Sequence, residues 1–207
     1  MRDHGLTLFS TLVCTLGGIV LGGFAMTHSL ALEPAQGKPA ARPAAPSTVE
    51  PEVLAALKKI DWLRGTWDGK GMLGTPAGEV TQNGPWKVEP AYDGRYLRIE
   101  FDAVVDEGKA PPNRFVCYLT FDAEKKHYRT VWVNIDNFFQ FHETGKLDAT
   151  GNVLTLISEH KRPDGSISRV RSVFTKVDET HFTCEDHRLN DKDEPVKKTF
   201  GFSLTRQ

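Results

Sequence analysis

The stretch WVNIDNFFQFHE, Trp132–Glu143, is the densest mixture of aromatic and polar side chains in the sequence. Aromatic rings interleaved with a few amide and acidic groups are typical of a pocket that holds a small apolar molecule and orients it through polar contacts. Other strand-like segments supply further candidates. The predicted pocket residues are Trp86, Phe101, Trp132, Asn134, Phe139, Phe141 and His160. The alternative is that these side chains only fill the protein core.

Catalytic and metal-binding motifs are missing from the sequence. Five histidines follow residue 31, and none has the paired spacing of a zinc site. His160 shares the alternation phase of Leu154 and Leu156, so it is the best candidate for an axial ligand if haem binds. No nucleophile elbow, phosphate loop or dinucleotide motif occurs, and no carboxylate pair has a distinctive spacing. The sequence therefore predicts no catalytic residue and no metal site, and it favours a binding protein over an enzyme.

The charge pattern excludes one class of partner. The chain has 207 residues and a formal net charge of −1, with acidic and basic residues interleaved, whereas a nucleic-acid-binding protein shows a basic stripe. Hydrophobic residues make up 39% of the chain and the mean hydropathy is −0.38, which is typical of a folded globular protein. We predict a small hydrophobic molecule as the partner and no nucleic acid, and the composition leaves the oligomeric state open.

The N-terminal region differs from the rest of the chain. Residues 6–26 carry no charge, and the small residues of Ser29–Ala31 suit signal peptidase. We predict a signal peptide over residues 1–31 and a periplasmic or secreted protein. The alternative is an uncleaved membrane anchor at residues 6–26, which would be the only membrane contact, because this run can span a hydrocarbon core of roughly 30 Å. A Pro/Ala-rich disordered linker is predicted over residues 32–50, before a folded domain at residues 51–207.

The candidate pocket residues fall on strands that follow one short helix. Ser47 and Glu50 have the spacing of a capping box, and apolar residues recur at helical spacing, which predicts a helix over residues 51–63. From Gly65 onward the pattern alternates with a period of two. Strands are predicted over residues 65–73, 78–89, 94–104, 114–122, 126–135, 137–146, 152–161, 166–177, 180–189 and 196–206. Short connections indicate an antiparallel meander, and closure removes its free edges, so we predict an all-β, closed up-and-down β-barrel of about ten strands.

A tryptophan and an arginine at the two ends of the meander suggest how the barrel closes. Trp67 lies in LRGTWDGKG, on the first strand, directly after the predicted helix. Arg206 shares a strand face with three apolar residues of the last strand. We expect the guanidinium to lie over the indole in a cation–π contact and to tie the first strand to the last. The alternative is an ordinary core tryptophan with Arg206 at a frayed strand end.

Gly-x-Trp on the first strand, with a basic residue near the end of the last, resembles the lipocalins and their calycin relatives. The order of LRGTWDGKG, YDGRYLRIEF, YLTFDAEKKHYRTVWVNIDN, GNVLTLISEH and SLTR resembles a bacterial calycin-like family known only as a domain of unknown function, over about residues 54–206. GTWDGKG is also similar to the opening of the nitrobindins, ten-stranded barrels that bind haem. That resemblance implies haem as a cofactor, although the last strand here, VKKTFGFSLTRQ, has no histidine where the nitrobindins carry their iron ligand.

Cys117 and Cys184 are the cysteines of the predicted domain. Both have the alternation phase of neighbouring apolar residues, so we expect buried thiols. In an oxidising compartment a disulfide between two strands of the barrel is the alternative.

These observations lead to one main functional hypothesis and two alternatives. The main hypothesis is an exported, non-catalytic carrier or sensor that holds a small hydrophobic molecule in its barrel. The first alternative is a nitrobindin-like haem protein that acts on reactive nitrogen species. The second is an interaction module of the cell envelope whose barrel is filled by its own side chains.

Overall fold

A computed structural model describes residues 50–136, 139–161 and 164–207 of the chain. In this part the protein is a closed antiparallel barrel of ten strands with one short α-helix, which confirms the predicted fold class. The elements are α1 (Pro51–Lys59), a 3₁₀ turn (Asp61–Leu63), β1 (Gly65–Thr75), β2 (Gly78–Ala91), β3 (Tyr96–Val105), β4 (Asn113–Asp122), β5 (His127–Asn134), β6 (Gln140–Leu147), β7 (Val153–Lys161), β8 (Ile167–Lys176), β9 (His181–Leu189) and β10 (Pro195–Arg206). Each strand begins and ends within three residues of its predicted range. The predicted signal peptide or anchor and nearly all of the predicted linker lie outside the described residues.

The helix is shorter than the periodicity indicates. It ends at Lys59, and the chain then tightens into the 3₁₀ turn, so the predicted helical range of 51–63 is wrong at its C-terminal end. This tighter turn keeps both Ile60 and Leu63 buried. The N-cap residue is Glu50, which makes no side-chain capping bond, and Ser47, the other residue of the predicted capping box, lies outside the described residues. No helix in the described part of the chain has both the length and the hydropathy that a membrane span requires.

The barrel closes where β1 pairs with β10. Their register runs from Trp67 opposite Arg206 to Leu73 opposite Phe200, and every other pair joins strands that are adjacent in the chain. The two strands approach closely at Gly71, where a Cβ atom would lie 1.8 Å from the backbone oxygen of Gly201. Because an atom cannot occupy that space, a glycine is required at this point of the seam.

One end of the barrel is closed by α1 and by buried side chains. Leu57 of the helix is buried against the barrel, and the hydroxyl of Tyr128 donates a hydrogen bond to the backbone oxygen of Ala56 at 2.8 Å. Inside this end the rings of Trp67 and Phe182 meet edge to face, with centroids 4.7 Å apart. Apolar burial and these contacts hold the helix against the barrel.

Trp67 and Arg206 lie together at this closed end. Trp67 is 1% exposed, and its indole N–H donates to the backbone oxygen of Leu63 at 2.9 Å. The guanidinium carbon of Arg206 lies 4.1 Å from the centroid of the indole. Its Nη1 donates to the oxygen of Arg64 at 2.9 Å, and its Nε donates to the oxygen of Glu179 at 3.1 Å. One side chain thus connects the start of β1, the end of β10 and the turn before β9.

Gly65 makes room for this arrangement. Its φ is +135°, a conformation that only glycine adopts without strain, and a Cβ atom there would lie 2.5 Å from Nη1 of Arg206. The glycine before Trp67 therefore lets the chain turn from the 3₁₀ segment into β1 directly beneath the guanidinium.

Replacing Arg206 by Ala is expected to lower the free energy of unfolding by about 2 kcal/mol, because the cation–π contact and two hydrogen bonds are lost. Urea unfolding followed by tryptophan fluorescence measures the change. Arg206→Lys is the matched control, since it keeps the charge but loses the paired donors, and we expect an intermediate value. If Arg206→Ala were as stable as the wild type, the contact would not contribute to closure of the barrel.

Candidate functional site

A cavity of about 320 Å³ opens at the end of the barrel opposite α1. It is lined by the end of β1 that is farthest from the helix and by residues of β2 to β6 and β8 to β10. Seven of its lining residues are aromatic: Trp86, Phe101, Phe115, Trp132, Phe141, Phe174 and Phe200. The others are Leu73, Gly74, Asn113, Glu143, Ser172, Cys184, Asp186 and Thr199. The barrel is thus filled at one end and hollow at the other.

Cross-strand register builds the aromatic walls. Trp86 lies opposite Phe101, and Phe101 lies opposite Phe115, on three consecutive strands. The rings of Trp86 and Phe101 stack at 4.8 Å with an angle of 9° between their planes, and Phe115 follows at 5.4 Å. Trp132 and Phe141 form a second nearly parallel pair, 6.1 Å apart. These rings border the cavity, and their apolar surface suits an apolar ligand.

The carboxyl group of Glu143 is the most deeply buried charged group of the site, and the residue is 1% exposed. Its Oε2 accepts hydrogen bonds from the hydroxyl of Thr130 at 2.9 Å and from the indole N–H of Trp132 at 2.7 Å. Its Oε1 accepts one from the hydroxyl of Ser172 at 2.5 Å. Burial raises the pKa of Glu143, and these three donors lower it in part. Since all three partners donate, the network accommodates the ionised carboxylate.

Asp186 is the second acid of the cavity. Loss of hydration raises its pKa to about 7 from an ordinary value of 3.8, with the negative charge of Glu143 as a further cause in the same direction. A hydrogen bond donated by Ser172 would act in the opposite direction, but the one proton of that hydroxyl is donated to Glu143. Ser172 lies opposite Asp186 in the register of β8 and β9, so one hydroxyl lies between the two acids. Two like charges so close together in a poorly hydrated space make it costly for both to be ionised.

The cavity has no positive charge among the described residues that line it. This lining includes two acids and no lysine, arginine or histidine. Asn113 contributes an amide that donates to the side-chain oxygen of Gln82 at 3.2 Å, and Gln82 in turn donates to the backbone oxygen of Met72. The polar part of the site is therefore acidic on one side and neutral on the other.

The structure separates the predicted pocket residues into two groups. Four of the seven, Trp86, Phe101, Trp132 and Phe141, line the cavity.

The other three predicted residues lie at the rim. Asn134 is buried, and its backbone N–H donates to the oxygen of Phe139 at 2.8 Å. Phe139 is 51% exposed, and its ring is 6.1 Å from that of His160. The ring nitrogen of His160 lies 3.0 Å from the hydroxyl of Ser158, and burial lowers the pKa of His160. These residues form the edge of the opening rather than the wall of the cavity.

Glu143 and Asp186 are not among the pocket residues predicted from the sequence. Glu143 follows Phe141 by two residues, and Asp186 follows Cys184 by two, so each has the alternation phase of an inward-facing neighbour. A carboxylate at a strand position where the alternation places inward-facing apolar residues is the signal that could have singled them out.

Haem does not fit this cavity. An iron ligand would have to come from the lining residues, and the candidate among those that the structure describes is Cys184. This thiol is buried, and the described lining contains no histidine. His160 lies at the rim, outside the lining. Within the described residues no cluster of three or more His, Cys, Asp or Glu side chains is placed to hold a metal ion.

The two cysteines are separate thiols in the structure. Cys117 on β4 and Cys184 on β9 are both buried and free. The disulfide considered from the sequence does not form in the structure.

Comparisons with known proteins identify a family and several solved structures that are similar to this chain. A family model described as "Protein of unknown function (DUF1579)" matches residues 55–206, which confirms the resemblance to a family known only as a domain of unknown function. No curated protein matches the chain.

Three solved structures illustrate what this chain is similar to. The S-type phycobiliprotein lyase CPES from Guillardia theta has 10% identity and a TM-score of 0.49, and the match covers 73% of this chain and 93% of that one. A de novo designed fluorescence-activating β-barrel has 12% identity, a TM-score of 0.37 and coverages of 75% and 99%. EF1p2_mFAP2b bound to DFHBI has 15% identity, a TM-score of 0.39 and coverages of 73% and 99%. These likenesses carry no conclusion about what this chain binds.

Replacing Glu143 by Ala is expected to lower the free energy of unfolding by about 3 kcal/mol, because three donors would be left without their acceptor in a buried place. Glu143→Gln is the matched control. Its amide oxygen can accept from Thr130 and Trp132, and its amide nitrogen can donate to Ser172, so we expect a loss below about 1 kcal/mol. Urea unfolding measures both variants. Equal stability of the two would mean that the hydrogen bonds to Glu143 do not hold this part of the barrel.

Asp186 should make the protein less stable as pH rises. Its pKa is raised to about 7 from 3.8, so between these values the native state keeps a proton that the unfolded chain has released. The free energy of unfolding therefore falls as pH rises from about 4 to about 7. Asp186→Asn should reduce this slope and be more stable than the wild type above pH 7, by on the order of 2 kcal/mol.

Thermal unfolding at a series of pH values measures this effect. Glu185→Gln is the control, since Glu185 pairs with Lys198 and His187 instead of lining the cavity and should leave the slope unchanged. If the stability of Asp186→Asn still fell to the same extent between about pH 4 and 7, a group other than Asp186 would cause the pH dependence.

Proposed function

We propose that this chain, which belongs to the DUF1579 family, is a binding protein that holds a small, flat and largely apolar molecule in the open end of its barrel. The observation that carries the proposal is the cavity of about 320 Å³, seven of whose lining residues are aromatic. Barrels of this size either fill their interior or leave room for one small ligand. In this barrel the side chains that fill the closed end do not extend into the cavity at the other end.

The aromatic walls supply the attraction for such a molecule. A flat ligand that enters beside Trp86 and Trp132 would exchange water for ring faces and gain the hydrophobic term together with stacking. The walls are held by cross-strand contacts and by the hydrogen bond from Trp132 to Glu143. The pocket is thus formed before the ligand arrives, which lowers the cost of ordering on binding.

The role proposed for the protein is that of a carrier or sensor. Because residues 1–31 have the pattern of a signal peptide, we propose that the molecule is bound outside the cytoplasm. The intact mass of the chain recovered from its cells, with or without residues 1–31, tests this part of the proposal.

Binding of a neutral fluorescent probe tests the proposed pocket. N-phenyl-naphthylamine, whose emission rises in apolar surroundings, is titrated into the full-length protein, and we expect saturable binding with a dissociation constant in the range of about 1–100 μM. Thr199→Trp places a large side chain in the lining and should abolish the rise in emission.

Thr205→Trp is the matched control, because Thr205 is on the same strand but exposed outside the barrel, and it should bind the probe as the wild type does. Absence of any saturable signal, or equal binding by the two variants, would contradict a ligand site in this cavity.

A further inference from the structure

The charge of the cavity bears on the chemistry of its ligand, and this inference rests on the proposed function. Glu143 and Asp186 both line the space, and its described lining contains no basic side chain. Two acids without a counter-charge in a poorly hydrated space, one of them the buried Glu143, are costly for the folded protein. Groups that lower the stability of the folded protein are retained where they serve another purpose, such as binding a ligand.

The two acids are not equivalent. Glu143 accepts three hydrogen bonds from side chains of the barrel, so its charge is already compensated by fixed donors. Beside Asp186 lies the hydroxyl of Ser172, whose single proton is donated to Glu143, and the described lining contains no lysine, arginine or histidine. A ligand that brings a positive charge would therefore gain most at Asp186.

The described surroundings of Asp186 offer it nothing of opposite charge. Its facing groups are Ser172 from β8, Phe200 from β10, Glu143 from β6 and Cys184 on its own strand. The titratable members of this set are Glu143, which is negative when ionised, and Cys184, whose thiol is neutral because burial raises its pKa. Lys198, on the neighbouring strand, pairs with Glu185.

The aromatic walls favour the same kind of ligand. Trp86, Phe101 and Trp132 border the cavity. Ring faces attract an organic cation, and the attraction is stronger in a poorly hydrated site than at an exposed one. An anion would instead meet ring faces of the same sign and two carboxyl groups.

We propose that the ligand of this cavity is an organic cation, a flat apolar body carrying an ammonium or amidinium group, and that the charged nitrogen lies against the carboxylate of Asp186. The body would occupy the space between the aromatic walls. Selection among apolar molecules would then depend on charge, because the walls alone attract flat molecules of any charge type.

Three naphthalene probes of one shape test the charge preference. Naphthylmethylammonium, naphthylmethanol and naphthoate, substituted at the same ring position, are titrated into the full-length protein by calorimetry at about pH 8, above the pKa of Asp186. We expect the ammonium to bind roughly 10- to 100-fold more tightly than the alcohol, and the carboxylate to bind most weakly. Asp186→Asn should remove the preference for the ammonium and keep the affinity for the alcohol, whereas Glu185→Gln should change neither.

The pH dependence of the wild type provides a measurement that needs no variant. Affinity for the ammonium should rise as pH increases through about 7, where Asp186 ionises, while affinity for the alcohol should stay constant. Equal binding of the three probes, a preference for naphthoate, or a preference for the ammonium that persists in Asp186→Asn would overturn the assignment of an organic cation and leave the binding function intact. If no probe binds and N-phenyl-naphthylamine does not bind either, both proposals are overturned.

Discussion

Pairing of β1 with β10 is the constraint on which the rest of the structure depends. Without it the meander would be an open sheet with two unpaired edges and no enclosed interior. Backbone pairing alone requires that the two strands approach closely, and Gly71 allows this. Arg206 adds a side-chain tie at one end of the seam, because it contacts the indole of Trp67 and binds backbone oxygens on two other segments. The cavity exists because this seam is closed.

The two ends of the barrel are built for different purposes. At the closed end, α1 and the rings of Trp67 and Phe182 fill the interior, so that end contributes apolar burial to stability. At the open end the rings stand against the walls and leave space. Leaving a core unfilled lowers stability, and the open end adds the cost of placing two acids in a poorly hydrated space. The interactions that stabilise the folded protein thus lie at the closed end, and the features that lower its stability lie at the cavity.

Glu143 connects these two aspects. It is buried as deeply as the framework residues, but it is an acid, and its hydrogen bonds fix Trp132 and Ser172 in the wall of the cavity. The same charge raises the pKa of Asp186. A single carboxyl group therefore orders the wall and contributes to the charge state of its neighbour, so the shape and the electrostatics of the cavity are linked.

The sequence predicted the ten strands and their antiparallel order, because period-two alternation and short turns are local properties, and it predicted closure from the cost of leaving two strand edges unpaired. The same alternation also indicated Trp86, Phe101, Trp132 and Phe141 as inward-facing rings. The end of the helix at Lys59 depended on burial of Ile60 and Leu63 against the barrel, which no local pattern contains. Only the tertiary structure brought Glu143 and Asp186 together, since they lie on strands that are not neighbours and meet across the interior once the sheet has closed. Charge interactions across a closed barrel depend on distances between residues far apart in the chain, and spacing along the sequence does not report them.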